Sequence, residues 1–169
     1  VATDMQNGEM VVLDRGDLAL AMRASMAVPG VFSPVSMDGR ILGDGGLTRN
    51  VPVDIARQTC ADVVIAVAVP NPPPTADDLR SPLTMMGRTL DVLVGANERQ
   101  QLDTLGPADV KIVIEMGDIG SASFDRVDDA RSGEPVRHEG EAEDGADVVV
   151  VGFGPVGAAL AILLAQLGH

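Results

Sequence analysis

The 169-residue chain reads as an α/β protein. Two observations predict this. Short, uninterrupted apolar runs such as Val63 to Val69 have the pattern of strands buried on both faces. These runs alternate with segments whose apolar residues recur at helical spacing, as in Met85, Met86, Leu90, Leu93 and Val94. Strand, helix, strand, helix, strand is the order of helices laid over a mainly parallel sheet.

The elements follow in order. Met10 to Leu13 is a short apolar run between turn residues and reads as a strand. Asp17 is a good N-cap for a helix over Leu18 to Met26, stopped by Pro29-Gly30. Asp38-Gly39, flanked by Val35-Ser36-Met37 and Arg40-Ile41-Leu42, is the strongest hairpin signal in the chain. Asp44-Gly45-Gly46 follows the second arm directly. Pro52 opens a helix through Arg57. Asp62 precedes the Val63–Val69 strand, which ends in the proline cluster at residues 70–74. A long helix is expected over Pro82 to Leu105 and a strand over Val110 to Met116. Residues 131–146 are acidic and poor in large apolar side chains, the composition of a solvated linker.

Composition removes several function classes. The apolar share of 46 % is enough for a core, although with three Phe and no Trp or Tyr the interior must be Ala, Val, Leu and Met. Twenty-five acids against 12 bases give a net charge of −13. Nucleic-acid binding needs clustered Lys and Arg, so no nucleic-acid partner is expected. The same charge opposes affinity for acidic lipid surfaces. Cys60 is the sole cysteine; it reads as a small buried hydrophobe on a helix. His138 and His169 are poor candidates for a triad or a metal site, and no metal is expected. VATDMQNGEM has neither the basic start nor the apolar run of a signal peptide, so a cytoplasmic location is expected.

The feature with most chemical content is Asp44-Gly45-Gly46. It sets one carboxylate at the end of a strand, on a turn where little side chain obstructs the approach of a second group. An unperturbed Asp, with a pKa of about 3.9, is a weak base unless burial raises it. Hydrolysis of an ester further needs a nucleophile and donors for the oxyanion. No serine of the chain stands in a G-x-S-x-G context.

The text around Asp44 resembles the patatin-like phospholipases, in the bacterial neuropathy-target-esterase-like branch, over about residues 1–130. The resemblance is carried by Val1-Ala2-Thr3-Asp4, by Ala24-Ser25-Met26-Ala27-Val28-Pro29-Gly30-Val31-Phe32-Ser33-Pro34, by Gly43-Asp44-Gly45-Gly46-Leu47, and by Asn50-Val51-Pro52-Val53. It implies the C-terminal part of a three-layer α/β/α sandwich, with Asp44 as base of a Ser–Asp dyad and Gly45 and Gly46 supporting the motif. It further implies hydrolysis of lipid or small-molecule esters through an acyl-serine. The serine elbow and the oxyanion loop of that family are not in this chain, so the chain alone is expected to be inactive. Ser25 reads as a helix-end residue, and Arg49 and Asn50 as candidates for the cleft wall. The absent strands are expected to leave an exposed sheet edge and self-association through it.

A second motif closes the chain. Val148 to Gly157 reads as a strand entering Gly152-x-Gly154-x-x-Gly157, followed by a helical Ala/Leu segment. Strand, glycine turn and helix N-terminus form the context of a dinucleotide site. Residues 146–169 resemble the first βα unit of class A flavoprotein monooxygenases, which implies FAD at Gly152, Gly154 and Gly157 on a truncated Rossmann-like unit. A fragment of a flavin-dependent oxidoreductase is therefore one alternative function, and a non-catalytic remnant is the other. The acidic residue that would hold the ribose lies beyond the motif. Twenty uncharged residues from Val148 to Leu167 are long enough to span a bilayer. Three glycines and Pro155 in their middle, with no flanking Lys or Arg, argue instead for the nucleotide unit, and no integral membrane segment is expected. The whole chain reads as a join of two truncated segments.

Overall fold

The computed structural model describes residues 1–59, 61–71, 73–114, 136–137 and 148–152. Its fold is mixed α/β, with two four-stranded sheets.

The first sheet is built from β1 (Ala2–Asp4), β2 (Met10–Val11), β3 (Val35–Met37) and β4 (Arg40–Gly43), in the order β2-β1-β4-β3. All of its pairings are antiparallel. This departs from the single, mainly parallel sheet expected from the sequence. The reason is local: β3 and β4 are too close in sequence for a parallel crossover and are closed by the Asp38-Gly39 turn. Both turn residues have positive φ, +50° and +76°, as the two-residue hairpin requires. Helix α1 (Leu18–Ser25) lies against this sheet. Asp17 caps it, its carboxylate accepting the Leu20 N–H at 2.9 Å. Ala24, Ala2 and Leu42 form the small core beneath α1. Alanine at two of these positions brings helix and sheet backbones close together.

The second sheet has the order β7-β6-β5-β8, from β5 (Val63–Ala68), β6 (Val110–Val113), β7 (Val136–Arg137) and β8 (Val148–Gly152). Here β5 is parallel to both β6 and β8, and β7 is the antiparallel edge. β5 is buried along almost its whole length, as its unbroken apolar run predicted. The strand expected to open a separate nucleotide-binding unit is thus paired residue for residue with β5, from Val63↔Val148 to Val67↔Gly152.

Two helices connect the sheets, and a third links β5 to β6 within the second. The four-residue α2 (Gly46–Arg49) occupies what the sequence suggested was a glycine turn. Helix α3 (Val53–Thr59) begins one residue after Pro52. A 3₁₀ turn at Asp78–Arg80 precedes the 21-residue α4 (Pro82–Leu102), with Pro82 in its first turn. The main core packs Val51, Val53, Ala56, Val64 and Ala66 against Leu102 and Leu105.

The periodicity of α4 located the helix but not its inner face. Leu83, Met86 and Leu93 are 73, 60 and 63 % exposed. Leu90 and Val94 are half-buried, while the residue the helix buries is Gln101. Among the described residues no helix is long and apolar enough to cross a membrane. Cys60, His138, His169, Gly154 and Gly157 lie outside the described residues, as does most of the acidic stretch.

Candidate functional site

Asp44 is the first residue beyond β4, and three elements hold its backbone. Its N–H donates to the Ala27 carbonyl at 3.0 Å, and the next N–H, of Gly45, donates to the Ser25 carbonyl at 3.0 Å. The Thr3 hydroxyl of β1 donates to the Asp44 carbonyl at 2.7 Å. The Ala24-to-Ala27 segment therefore serves as a backbone rail for the aspartate, and Ser25 takes the helix-end position expected of it. These bonds pull α1, β1 and β4 onto one residue.

The two glycines leave room for close approach, but the atoms that approach are the chain's own. Gly45 sits at φ −63° and ψ −29°, ordinary right-handed backbone. What excludes a side chain there is space: a Cβ would stand 2.4 Å from the Val1 carbonyl oxygen. At Gly46 a Cβ would stand 2.9 Å from the Asn50 side-chain oxygen and 3.4 Å from Asp44 Oδ1. Small residues are needed for close approach, not for an unusual turn.

The Asp44 side chain is buried. Its Oδ1 accepts the Gly46 N–H at 2.9 Å, and its Oδ2 has no hydrogen-bond partner among the described residues. Burial raises the carboxyl above the usual aspartate value, and the Gly46 bond only partly offsets this. A carboxylate so placed is a better proton acceptor than a solvated one.

Asp44 lines a cleft of about 500 Å³, within the usual range for small-molecule sites. The opposite wall comes from α4 and from β6. Asn50, anticipated as a wall residue, does line the cleft. Its amide donates to Glu98 of α4 at 2.5 Å. Arg49 instead turns to Asp54, with Nε to Oδ2 at 3.0 Å. Glu98 is a second carboxyl of the cleft, raised by burial against the lowering effects of Asn50, Lys111 and Arg99. Sequence reasoning gave Glu98, Arg88 and Lys111 no role. They come from α4 and β6, tens of positions from Asp44, and no spacing rule connects them to it.

Of the cofactor motif, Gly152 ends β8, and Gly154 and Gly157 are outside the described residues. Among the described residues no group of His, Cys, Asp or Glu could hold a metal ion.

Comparison with known proteins bears on this first part of the chain. Residues 3–57 match the family model of the patatin-like phospholipases, and Asp44 with both glycines falls inside the match. The chain is 45 % identical over 69 residues to an uncharacterized NTE family protein of Mycobacterium tuberculosis, covering 41 % of this chain and 19 % of that protein. It is 39 % identical over 62 residues to another NTE family protein of the same organism, covering 37 % of this chain and 10 % of the relative. It is 41 % identical over 71 residues to patatin-like phospholipase domain-containing protein 7 of Mus musculus, covering 41 % of this chain and 5 % of that protein. The chain therefore spans about a fifth or less of the length of these curated relatives. It is to the patatin-like phospholipases that the segment carrying Asp44 is similar.

Proposed function

We propose that this chain supplies the aspartate side of a lipid ester hydrolase, with Asp44 as the general base of a Ser–Asp dyad. The observation that carries the proposal is the position of Asp44: a buried carboxylate with a raised proton affinity, fixed by one backbone N–H, on a small-molecule-sized cleft. The similarity of residues 3–57 to patatin-like phospholipases supports it.

In this reading a serine hydroxyl, supplied by a segment other than these 169 residues, attacks the ester carbonyl carbon while its proton passes to Asp44. The tetrahedral intermediate collapses, the alcohol leaves with that proton, and an acyl-serine remains. Water then attacks the acyl-serine, Asp44 takes the water proton, and the serine recovers it as the acid departs. The apolar wall of Leu47, Leu90, Val94 and Val113 suits an acyl chain or glyceryl portion.

The test is hydrolysis of p-nitrophenyl butyrate. The chain alone is expected to give no turnover above the uncatalysed rate. Joined in frame to a segment bearing G-x-S-x-G, it is expected to turn over, with Asp44→Asn lowering kcat by about 10²–10⁴-fold. Turnover by the joined protein that survives Asp44→Asn, or Asp44-dependent turnover by the chain alone, would refute the assignment.

A further inference from the structure

Helix α4 turns polar side chains toward the protein in its C-terminal half. It buries Gln101, 6 % exposed, and leaves Leu93 63 % exposed. Asn97 and Glu98 precede Gln101 by four and three positions, so the three stand along one side of the helix. Each bonds to the segment that follows Asp44. The Asn97 amide donates to the Thr48 carbonyl of α2 at 2.6 Å. Glu98 accepts the Asn50 amide at 2.5 Å. The Gln101 side-chain oxygen accepts the Asp54 N–H at 3.2 Å.

Helix α2 needs such support. Four residues are too few to hold a helix by their own hydrogen bonds, and α2 has no side-chain cap. On another side the Thr3 hydroxyl lies 3.0 Å from that of Thr48. Gly46, the first residue of α2, carries the N–H that Asp44 Oδ1 accepts. The aim of that N–H therefore follows the seating of α2. Asn97 holds its place at a cost, because its side-chain oxygen is buried with no hydrogen-bond partner among the described residues. The Thr48 carbonyl can only accept, so the amide nitrogen is the end that faces it. What this position supplies is the donated bond.

We propose that Asn97 and Glu98 are positioning residues: by gripping α2 and Asn50, they hold the Gly46 N–H on the Asp44 carboxylate. The proposal deepens the hydrolase reading and rests on it only for the consequence in catalysis. The hold on Gly46 itself stands on the bonds from α4.

The amide NMR signal of Gly46 in the 169-residue chain tests it. That signal is expected to shift with pH as Asp44 titrates, and Asp44→Asn should remove the shift. Asn97→Ala should reduce the shift. It should also raise the proton affinity of Asp44, followed by its carboxyl carbon-13 signal, about three- to tenfold, because the bond that opposes burial is loosened. The exchange is neutral for neutral, so Arg88, Asp91, Glu98, Arg99 and Lys111 of the cleft stay in place. Glu98→Ala should reduce the Gly46 shift as well, and Glu98→Gln, which keeps an oxygen for Asn50, should restore it. Thr89→Ala, which removes an exposed bond to the Met85 carbonyl within α4, should change neither signal. An unchanged Gly46 shift in Asn97→Ala, or an equal loss in Thr89→Ala, overturns the proposal. If Asn97→Ala does not fold, Asn50→Ala, which removes the donor to Glu98, is read in the same way. In the protein joined to a G-x-S-x-G segment, Asn97→Ala should lower kcat for p-nitrophenyl butyrate about tenfold with KM unchanged. A rise in KM alone overturns the positioning role. Absence of Asp44-dependent turnover there would end the hydrolase reading, while the Gly46 signal still decides whether α4 holds the site.

Discussion

Asp44 is placed at some cost to the fold. Burial raises its carboxyl, so the folded-state value lies above the unfolded one. Such a group favours the folded state most when protonated, below the unfolded value. That contribution is lost as pH rises through the folded value. Asp44→Asn keeps an oxygen to accept the Gly46 N–H and removes the buried charge. Thermal melts at neutral pH should therefore show the variant more stable by about 2–4 °C. The gain should shrink on acidification, as wild-type Asp44 takes up its own proton. A variant less stable than wild type at neutral pH would mean that the carboxylate is better solvated than its surroundings indicate. Position 44 was legible in the sequence because three adjacent residues define it. Its partners were less so: Thr3, Ala27 and Ser25 hold the aspartate mostly through backbone atoms, and side-chain identity carries little record of such bonds. The glycines were recognised as places of close approach, although sequence does not reveal which backbone passes over a Cα.

At the scale of elements, Asp109 is the chief cross-link. Its side chain is fully buried and accepts N–H groups from Val64 of β5 and Gly106 of the turn before β6, and it pairs with Arg57 of α3. Burial alone would raise its carboxyl, but these bonds outweigh burial and hold it below the usual aspartate value. The sign is opposite to that of Asp44. Stability is present above the unfolded value and lost as pH falls through the folded one. Asp109→Asn, which sets an amide against N–H donors, should cost about 2–3 kcal/mol in urea unfolding at neutral pH. The difference from wild type should shrink on acidification. The strand runs, the Asp17 cap and the Asp38-Gly39 hairpin were readable because each is a local signal, complete within a few residues. The direction in which α4 faces was not. Its Met and Leu repeat marks a helix, but which side meets the sheet depends on where the chain returns. The division into an antiparallel and a mainly parallel sheet is likewise a matter of pairing between distant segments.

For the molecule as a whole, the excess of acids sets the response to salt. Surface charges of one sign repel within a Debye length, about 30 Å at 0.01 M and about 3 Å at 1 M ionic strength. Compacting a chain of net charge −13 is therefore opposed most at low ionic strength. Sodium chloride added over that range should raise Tm by about 3–5 °C. An unchanged or lower Tm would mean that local pairs such as Arg57–Asp109 outweigh the mean field.

The pairing of β8 with β5 carries one more consequence. Five residues that read as the opening of something new are instead stitched along the flank of the most deeply buried strand. Severing the chain in the acidic stretch at residues 131–146 would strip Val63 to Val67 of a neighbour and leave a row of backbone amides and carbonyls seeking another. Removing the chain beyond that cut would thus exchange a covered flank for an adhesive one, and the tail is better kept when the protein is prepared.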